Sequence, residues 1–323
     1  MLSEFELIAR FFTHRAPGTR LGVGDDAALL EVRPGMALAV SADMLVEGRH
    51  FLPRADPARL GHKALAVNLS DMAAMGARPR WATLALALPR AEARWLEAFS
   101  GGFMALARTH RVDLVGGDTT RGPLAICVQI MGEVPLRQAL RRDAARVGDD
   151  VWVSGTLGEA ALAVAASGKR VRVARRELPA LRARLDTPTP RIALGLALRG
   201  VARSAIDVSD GLLSDLAHVC ERSGVGAVID WEALPATPYV RGEAQKSDEA
   251  ARALIAGGDD YELCFTAPRP RRGDVAAAAR RARTPVTLIG RIVRRARGRP
   301  QVEVLDSVGK PLKRRWKGYD HFG

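Results

Sequence analysis

Four short aspartate clusters, each set among glycine or other small residues, recur along the 323-residue chain. The clusters are Gly24-Asp25-Asp26, Gly116 to Gly122, Asp207 to Gly211 and Gly257 to Asp260. Two single aspartates, Asp43 and Asp71, likewise follow apolar stretches. Carboxylates are hard oxygen ligands for Mg²⁺, and glycine lets backbone N–H groups approach phosphate oxygens closely. The pattern therefore predicts apolar elements whose ends carry several magnesium ions and a polyphosphate.

Each cluster alone is also typical of a surface turn, because Gly and Asp are the usual turn residues. Asp43, Asp71 and Asp118 differ from ordinary loop residues in lying close to apolar runs that contain Ala, Val, Leu or Met. Buried carboxylates without cations are costly, so their accumulation favours a metal site over a set of turns.

Apolar strand-like runs alternate with helical segments in both halves of the chain. The first half predicts helix 4–12, strand 37–41, helix 57–75, strand 81–88, helix 91–109 and strands 112–115 and 124–134. The second half predicts strand 151–153, helices 158–167, 188–199 and 212–223, and strands 227–229, 262–266, 287–292 and 301–305. This alternation predicts an α/β protein with mixed sheets.

The chain turns polar and basic around residues 140–150, immediately before the strand predicted at 151–153. A chain of 323 residues is long enough for two domains with separate cores. We therefore predict domains 1–145 and 146–323, and expect two lobes that face a shared cleft.

No segment of the sequence approaches the apolar length of a membrane span, and the three cysteines lack metal-ligand spacing. Cys127, Cys220 and Cys264 are therefore expected to be buried free thiols in a reducing compartment. These features predict a cytoplasmic protein with no membrane partner and no zinc site.

The net charge of +13 arises from one stretch of the chain. Residues 269–317 hold 16 Lys or Arg against 3 acids, which accounts for the whole excess. A nucleic-acid-binding patch is one interpretation, but the stretch lacks interleaved aromatics and any recognisable binding module. Arginine outnumbers lysine along the entire chain, which favours a compositional bias, so we predict no nucleic-acid partner.

The common nucleotide-binding motifs are missing: the sequence has no P-loop, no protein-kinase signature and no Rossmann fingerprint. What remains is a site rich in carboxylates and metal ions. Phosphoryl transfer suits such a site, because its catalysis is mostly positioning and neutralisation of phosphoryl charge.

Motifs along nearly the full chain resemble those of thiamine-monophosphate kinase. They are Gly24 to Ala28, Ser41 to Asp43, Asn68 to Ala77, Gly116 to Gly122, Asp207 to Leu212, Gly257 to Leu263 and the C-terminal Trp316 to Phe322. The wider superfamily includes aminoimidazole ribonucleotide synthetase, selenophosphate synthetase and a hydrogenase maturation factor. The C-terminal segment and His50 favour the thiamine member.

The resemblance implies ATP-dependent phosphorylation of thiamine monophosphate to thiamine diphosphate, by direct transfer of the γ-phosphoryl group and with several Mg²⁺ ions. It also implies a homodimer, built through the sheet of an N-terminal domain that binds ATP and Mg²⁺, and a C-terminal α/β domain that completes the substrate site. It leaves open whether K⁺ is needed.

Site residues follow from the same resemblance, with no covalent intermediate and with Asp43, Asp71 and Asp118 assisting transfer. The residues matching metal ligands are Asp26, Ser41, Ala42, Asp43, Asp71, Asp118, Asp207 and Asp210. Those matching ATP contacts are Gly117, Asp118, Arg142 and Ser209. Those matching substrate contacts are His50, Asp259 and Trp316, whose aromatic face and acid suit a cationic thiazolium.

The chain departs from the family at two of these positions. Ala42 replaces the usual Thr, so only its backbone carbonyl could contact a metal ion there. Asp259 replaces the usual Glu and is one methylene shorter, so it would reach thiamine through water. Two alternatives stay open: a synthetase of the same superfamily with another acceptor, and a basic nucleic-acid-binding protein.

Overall fold

The computed structural model describes residues 4–295, 300–312, 316 and 318, and the chain forms two compact units. The first unit comprises residues 1–72 and 77–137, and the second comprises 73–76 and 138–323. The main division thus falls between Arg137 and Gln138, earlier than the boundary predicted after residue 145, which stays a prediction.

The first unit is built on a four-stranded sheet in the order β1-β4-β2-β3, in which only β2 and β3 are parallel. Its elements are α1 (Glu4–Leu7, continued by a π-helical turn Ile8–Phe12), β1 (Met36–Val46), α2 (Pro57–Ala74), β2 (Arg78–Leu88), α3 (Ala93–His110), β3 (Asp113–Arg121) and β4 (Ala125–Pro135). The long apolar strands and the 18-residue helices α2 and α3 match the predicted order.

Strand β1 lies at an edge of this sheet and alternates strictly between its two faces. Ser41, Asp43 and Leu45 lie on the more buried face, where Ser41 contacts α2. Leu38, Val40 and Met44 lie on the other face, where they are 45%, 51% and 58% exposed. The strand therefore presents an apolar stripe, defined here as Leu38, Val40 and Met44, on the open face of the sheet.

The second unit contains a six-stranded mixed sheet in the order β10-β7-β9-β5-β8-β6, with only β10 and β7 parallel. Its elements are β5 (Asp149–Ser154), α4 (Glu159–Ser167), α5 (Leu178–Asp186), α6 (Ile192–Leu198), β6 (Ser204–Asp207), α7 (Leu212–Ser223), β7 (Gly226–Asp230), α8 (Pro238–Lys246), α9 (Asp248–Ala256), β8 (Leu263–Pro268), α10 (Arg272–Ala282), β9 (Val286–Val293) and β10 (Val302–Leu305). The predicted α/β class with mixed sheets is confirmed.

The segment before β5 is tied to the core of the second unit by local bonds. Ser223 Oγ, at the end of α7, donates to the Arg142 carbonyl at 2.8 Å and accepts the Ala145 N–H at 3.1 Å. Ala145 is buried in the same apolar cluster as Val151 and Leu216. These contacts explain why residues 138–145 group with the second unit. Across the described part of the chain, no helix has both the length and the apolar character of a membrane span.

Glu133 on β4 is a buried acid whose charge stabilises the first unit. It accepts hydrogen bonds from the Arg33 N–H and Nε, both at 2.8 Å, and its side chain is fully buried. Burial acts to raise its pKa, but the Arg33 hydrogen bonds and the charges of Arg33 and Arg80 outweigh burial and hold the pKa below the ordinary 4.5. A carboxyl with a lowered pKa contributes stability that is complete above its unfolded pKa and is lost as pH falls through the folded one.

We therefore expect Glu133→Gln to lower the free energy of unfolding by about 1–3 kcal/mol at pH 7. The difference from wild type should stay constant above about pH 4.5 and shrink at lower pH, because both side chains are then neutral. Urea unfolding followed by circular dichroism between pH 3 and pH 8 measures this, and a pH-independent difference would contradict the role of the charge.

Candidate functional site

Three of the predicted metal ligands meet where β1 packs on α2. Ser41 Oγ donates to Asp71 Oδ2 at 2.5 Å, and the Asp43 N–H donates to Asn68 Oδ1 at 3.2 Å. Asn68 Nδ2 donates to the Ala64 carbonyl at 3.0 Å, which fixes the orientation of its amide. Ser41 and Asp43 share a face because strand side chains alternate, and Asn68 and Asp71 share a helix face because they are three residues apart.

The glycine-rich run on β3 places Gly117 against the backbone of β2. Gly117 has φ +153°, and a Cβ there would lie 1.9 Å from the Leu84 carbonyl oxygen, so the position admits only glycine. Asp118 follows it at the exposed edge of the sheet. Glycine at position 117 is therefore required for the close pairing of β3 with β2.

The strand register separates Asp118 from Asp43. Asp43 pairs with Val128, Val128 with Leu84, and Leu84 with Gly117, so Gly117 shares the row of Asp43. Asp118 lies one residue further, in the row of Met44, and hence on the opposite face. Three strand spacings put β1 and β3 about 14 Å apart along the sheet. One chain therefore does not bring these two carboxylates to one ion.

Three further predicted residues surround β1. Asp26 is exposed in the loop that precedes the strand. Ala42 presents its methyl group to the open face of the sheet. The Asp43 N–H points away from β4, so the N–H and carbonyl of the preceding residue, Ala42, point towards β4. His50 lies in the tight loop after β1, where its Nδ1 accepts the Val46 N–H at 3.0 Å, so the neutral ring carries its proton on Nε2.

In the second unit, the turn from β6 into α7 gathers three acids. The N–H groups of Ser209 and Asp210 both donate to Asp215 Oδ2 at 3.1 Å. Burial, followed by the charges of Asp207 and Asp210, raises the pKa of Asp215 to about 8. This mutual repulsion is what a bound cation would relieve, so the residues fit Mg²⁺.

A second loop, residues 257–261, runs beside this turn and is bonded to it through the backbone. The Asp259 N–H donates to the Ser209 carbonyl at 2.9 Å, and the Tyr261 N–H donates to the Val208 carbonyl at 2.8 Å. Tyr261 Oη donates to Asp259 Oδ1 at 3.2 Å. The predicted substrate acid therefore lies next to the predicted ATP contact Ser209.

Trp316 stacks on Trp231, with ring centroids 5.5 Å apart and planes at 20°. Its indole Nε1 is buried and has no hydrogen-bond partner among the residues that the structure describes. Gly318 lies against the start of α7, since a Cβ there would be 3.0 Å from the Asp210 carbonyl oxygen. Lys317 and residues 319–322 of the C-terminal motif lie outside the described residues.

Arg142 is exposed in the turn Arg142–Ala144, and its role as an ATP contact stays a prediction. Within residues 4–295 and 300–312, no three His, Cys, Asp or Glu side chains are placed to hold one metal ion. The two groups of donors, around Asp71 and around Asp210, are all oxygen ligands, which suits Mg²⁺ and not zinc.

Sequence reasoning missed the buried groups that support both loops, notably Asp215, Asp260 and Glu262. Asp215 lies in the first turn of α7, five residues after Asp210, and its position there was a usable signal. Asp260 and Glu262 belong to the Gly257 to Leu263 motif, and nothing in the motif itself distinguishes them from Asp259. Their burial, 4% and 0% exposed, depends on tertiary packing.

Two family models together match most of the chain. The profiles of the AIR synthase related protein N-terminal and C-terminal domains match residues 24–134 and 146–303. Thiamine-monophosphate kinase from Salmonella typhimurium is 46% identical over 326 residues, covering 99% of this chain and 98% of the relative.

Two solved structures are also similar. Thiamine-monophosphate kinase from Stenotrophomonas maltophilia is 48% identical with a TM-score of 0.83, covering 93% of this chain and 94% of the other. A complex of AaThiL with AMPPCP and TMP is 32% identical with a TM-score of 0.77, covering 99% and 97%. With two domain profiles in order and relatives matched over their full length, the chain belongs to the thiamine-monophosphate kinase family.

Proposed function

We propose that the protein transfers the γ-phosphoryl group of ATP to the phosphate of thiamine monophosphate, giving thiamine diphosphate and ADP. The bond between the γ-phosphorus and the β,γ-bridging oxygen breaks, and a thiamine monophosphate oxygen bonds to the same phosphorus. The observation that carries the proposal is the contact of Ser41 and Asp43 with the helix bearing Asp71, in a chain of this family. The AaThiL complex with AMPPCP, an ATP analogue, and TMP supports both substrates.

Magnesium would supply the positive charge that lets two anionic phosphates approach each other. Asp43 and Asp71 would bind it in the first unit, and Asp207 and Asp210 in the second. Asp215 accepts the backbone N–H groups of Ser209 and Asp210, so the turn that carries these two residues is held in place before ligands bind. The requirement for K⁺ and the cytoplasmic location stay predictions.

Thiamine monophosphate would be recognised by His50, Asp259 and Trp316. The stacked rings of Trp231 and Trp316 form an aromatic surface of the kind that binds a thiazolium cation. Asp259, held by Tyr261 Oη, provides the acid. It would reach the aminopyrimidine through a water molecule, because it is shorter than the family's usual glutamate.

A homodimer would complete the metal site. Asp43 and Asp118 lie on opposite faces of the sheet and three strand spacings apart. A single chain therefore keeps these two proposed metal-binding carboxylates away from each other. The apolar stripe on β1 lies on the face that carries Asp118. Pairing of two sheets through this face would bury the stripe and bring the partner's Asp118 towards the open face of β1. Since β1 is an edge strand, this aspartate would reach the metal site around the free edge of β1.

We expect Val40→Asp, at the centre of the stripe, to shift the protein from dimer to monomer, because a carboxylate would be buried without a partner. Light scattering after size-exclusion chromatography measures the mass. Val308→Asp is the matched control, since Val308 is 73% exposed in the second unit. Equal masses for all three proteins would contradict pairing through this face.

Incubation of the purified protein with ATP, Mg²⁺ and thiamine monophosphate, with thiamine as control acceptor, tests the activity. The expected result is that thiamine diphosphate forms when thiamine monophosphate is the acceptor and does not form when thiamine is the acceptor. Turnover with neither acceptor would redirect the search to other acceptors used in the superfamily. Salt-dependent RNA binding without ATP turnover would instead support the nucleic-acid interpretation of residues 269–317.

A further inference from the structure

A buried ionic cluster lies behind the loop that carries Asp259. Its centre is Glu262, which is 0% exposed and accepts four hydrogen bonds. Ser154 Oγ donates at 2.5 Å, Arg184 Nη2 at 2.8 Å, and Arg191 Nε and Nη2 at 2.6 and 2.5 Å. Gly155 makes room for it, because a Cβ there would lie 2.1 Å from Glu262 Oε1.

Asp260 anchors the other side of the same loop. Both of its carboxyl oxygens lie 3.0 Å from the Gly158 N–H at the start of α4. Burial raises its pKa well above the ordinary value, against the opposing effects of the Gly158 N–H and Arg184. Arg184 Nε also lies 3.5 Å from Glu159 Oε2, so one guanidinium pairs with both Glu159 and Glu262.

These anchors flank a backbone that non-glycine residues rarely adopt. Asp259 has φ +69° and Tyr261 has φ +49°, both in the left-handed region. Such conformations persist only where the surroundings over-determine them. Here the buried Asp260 lies between the two strained residues and the buried Glu262 follows them. The N–H groups of Asp259 and Tyr261 donate to the carbonyls of Ser209 and Val208.

We propose that Glu262, held by Arg184 and Arg191, is a positioning residue that sets the place of Asp259 in the substrate site. The inference rests on the proposed function, in which Asp259 contacts thiamine monophosphate. The Ser209 turn has its own anchor in Asp215, whereas the Asp259 loop is held by Glu262 and Asp260 in addition to its two backbone bonds to that turn. Loss of the Glu262 charge should therefore raise the KM for thiamine monophosphate more than the KM for ATP.

Glu262→Gln tests this, because it keeps the side-chain shape and the Ser154 bond but removes the charge between two arginines. We expect KM for thiamine monophosphate to rise at least ~10-fold, with KM for ATP and kcat changing less than ~3-fold. In a double-mutant cycle with Asp259→Asn, the second substitution should raise KM for thiamine monophosphate less than ~2-fold further. Additive effects, or equal changes in both KM values, would overturn the proposal.

Two milder changes keep the proposal testable if Glu262→Gln does not fold. Ser154→Ala removes one hydrogen bond to Glu262, and Arg191→Met removes two. The KM for thiamine monophosphate should therefore rise more in Arg191→Met than in Ser154→Ala. Arg191→Lys keeps the positive charge and should raise this KM less than Arg191→Met. Asp150→Asn is the matched control, since Asp150 is 3% exposed on β5 and bonded by Arg272 at 2.6 and 2.9 Å. A rise in this KM for Asp150→Asn equal to that for Glu262→Gln would show a general loss of structure.

Hydrogen exchange separates failure of this inference from failure of the proposed function. If the wild-type protein does not phosphorylate thiamine monophosphate, the function is wrong, and loop order can still be measured. Peptides covering residues 257–261 should then exchange faster in Glu262→Gln than in wild type or Asp150→Asn. Unchanged exchange in a folded variant would overturn the positioning role.

Discussion

Replacing Asp71 by Asn is expected to lower kcat for thiamine diphosphate formation at least ~100-fold, the scale seen when a group that stabilises transition-state charge is lost. The substitution keeps the size of the side chain and leaves an acceptor for Ser41 Oγ, so the fold should persist. What it removes is the negative charge that would bind Mg²⁺ at this end of β1. Steady-state kinetics at saturating ATP and Mg²⁺ measures the effect.

Asp56→Asn on the same helix is the control for this variant. Asp56 Oδ1 accepts the Arg59 N–H at 2.9 Å at the start of α2, and Asn caps helices as well as Asp does. This change removes one carboxylate from the opposite end of the helix while leaving the helix intact, so kcat should stay within ~3-fold of wild type. A folded Asp71→Asn enzyme with near-normal turnover would rule out the metal role.

Mixed dimers provide the second large effect. Asp43→Asn and Asp118→Asn homodimers should each lose at least ~100-fold in kcat. If the partner's Asp118 completes the site, a heterodimer with one variant in each chain has one damaged site and one intact site. Co-expression with two different tags and purification through both should therefore yield about half of the wild-type activity. Sites contained within single chains would leave the heterodimer as inactive as its parents.

One half of the site around β1 could be predicted from local periodicity, because Asn68 and Asp71 are three residues apart on the predicted helix 57–75 and had to share a face. The other half could not, because β1 continues to Val46, beyond the end predicted at residue 41, and Asp43 therefore lies within the strand and shares a face with Ser41. The separation of Asp43 from Asp118 could not be predicted. It depends on the order β1-β4-β2-β3 and on a register shift between Ala82 and Thr83.

Several helices of the second unit were also missed, although two carried usable signals. Thr237 Oγ1 accepts the Val240 N–H at 3.3 Å, and Ser247 Oγ accepts the Ala250 N–H at 3.5 Å, so α8 and α9 begin at ordinary N-caps. The strained backbone of Asp259 and Tyr261 had no such local signal. It is imposed by Glu262 and Asp260, whose partners come from 71 to 108 residues earlier in the chain.

In the proposed dimer, the alternation of β1 makes one eleven-residue strand responsible for two tasks, metal binding and subunit pairing. A slip of one residue against β4 would exchange its faces, turning Ser41 and Asp43 towards the opening and Val40 and Met44 towards α2. Chemistry and subunit pairing would then be lost in one step. Single substitutions can therefore alter either face by itself, whereas an insertion or deletion within the strand alters both faces and should be far more damaging than any single substitution.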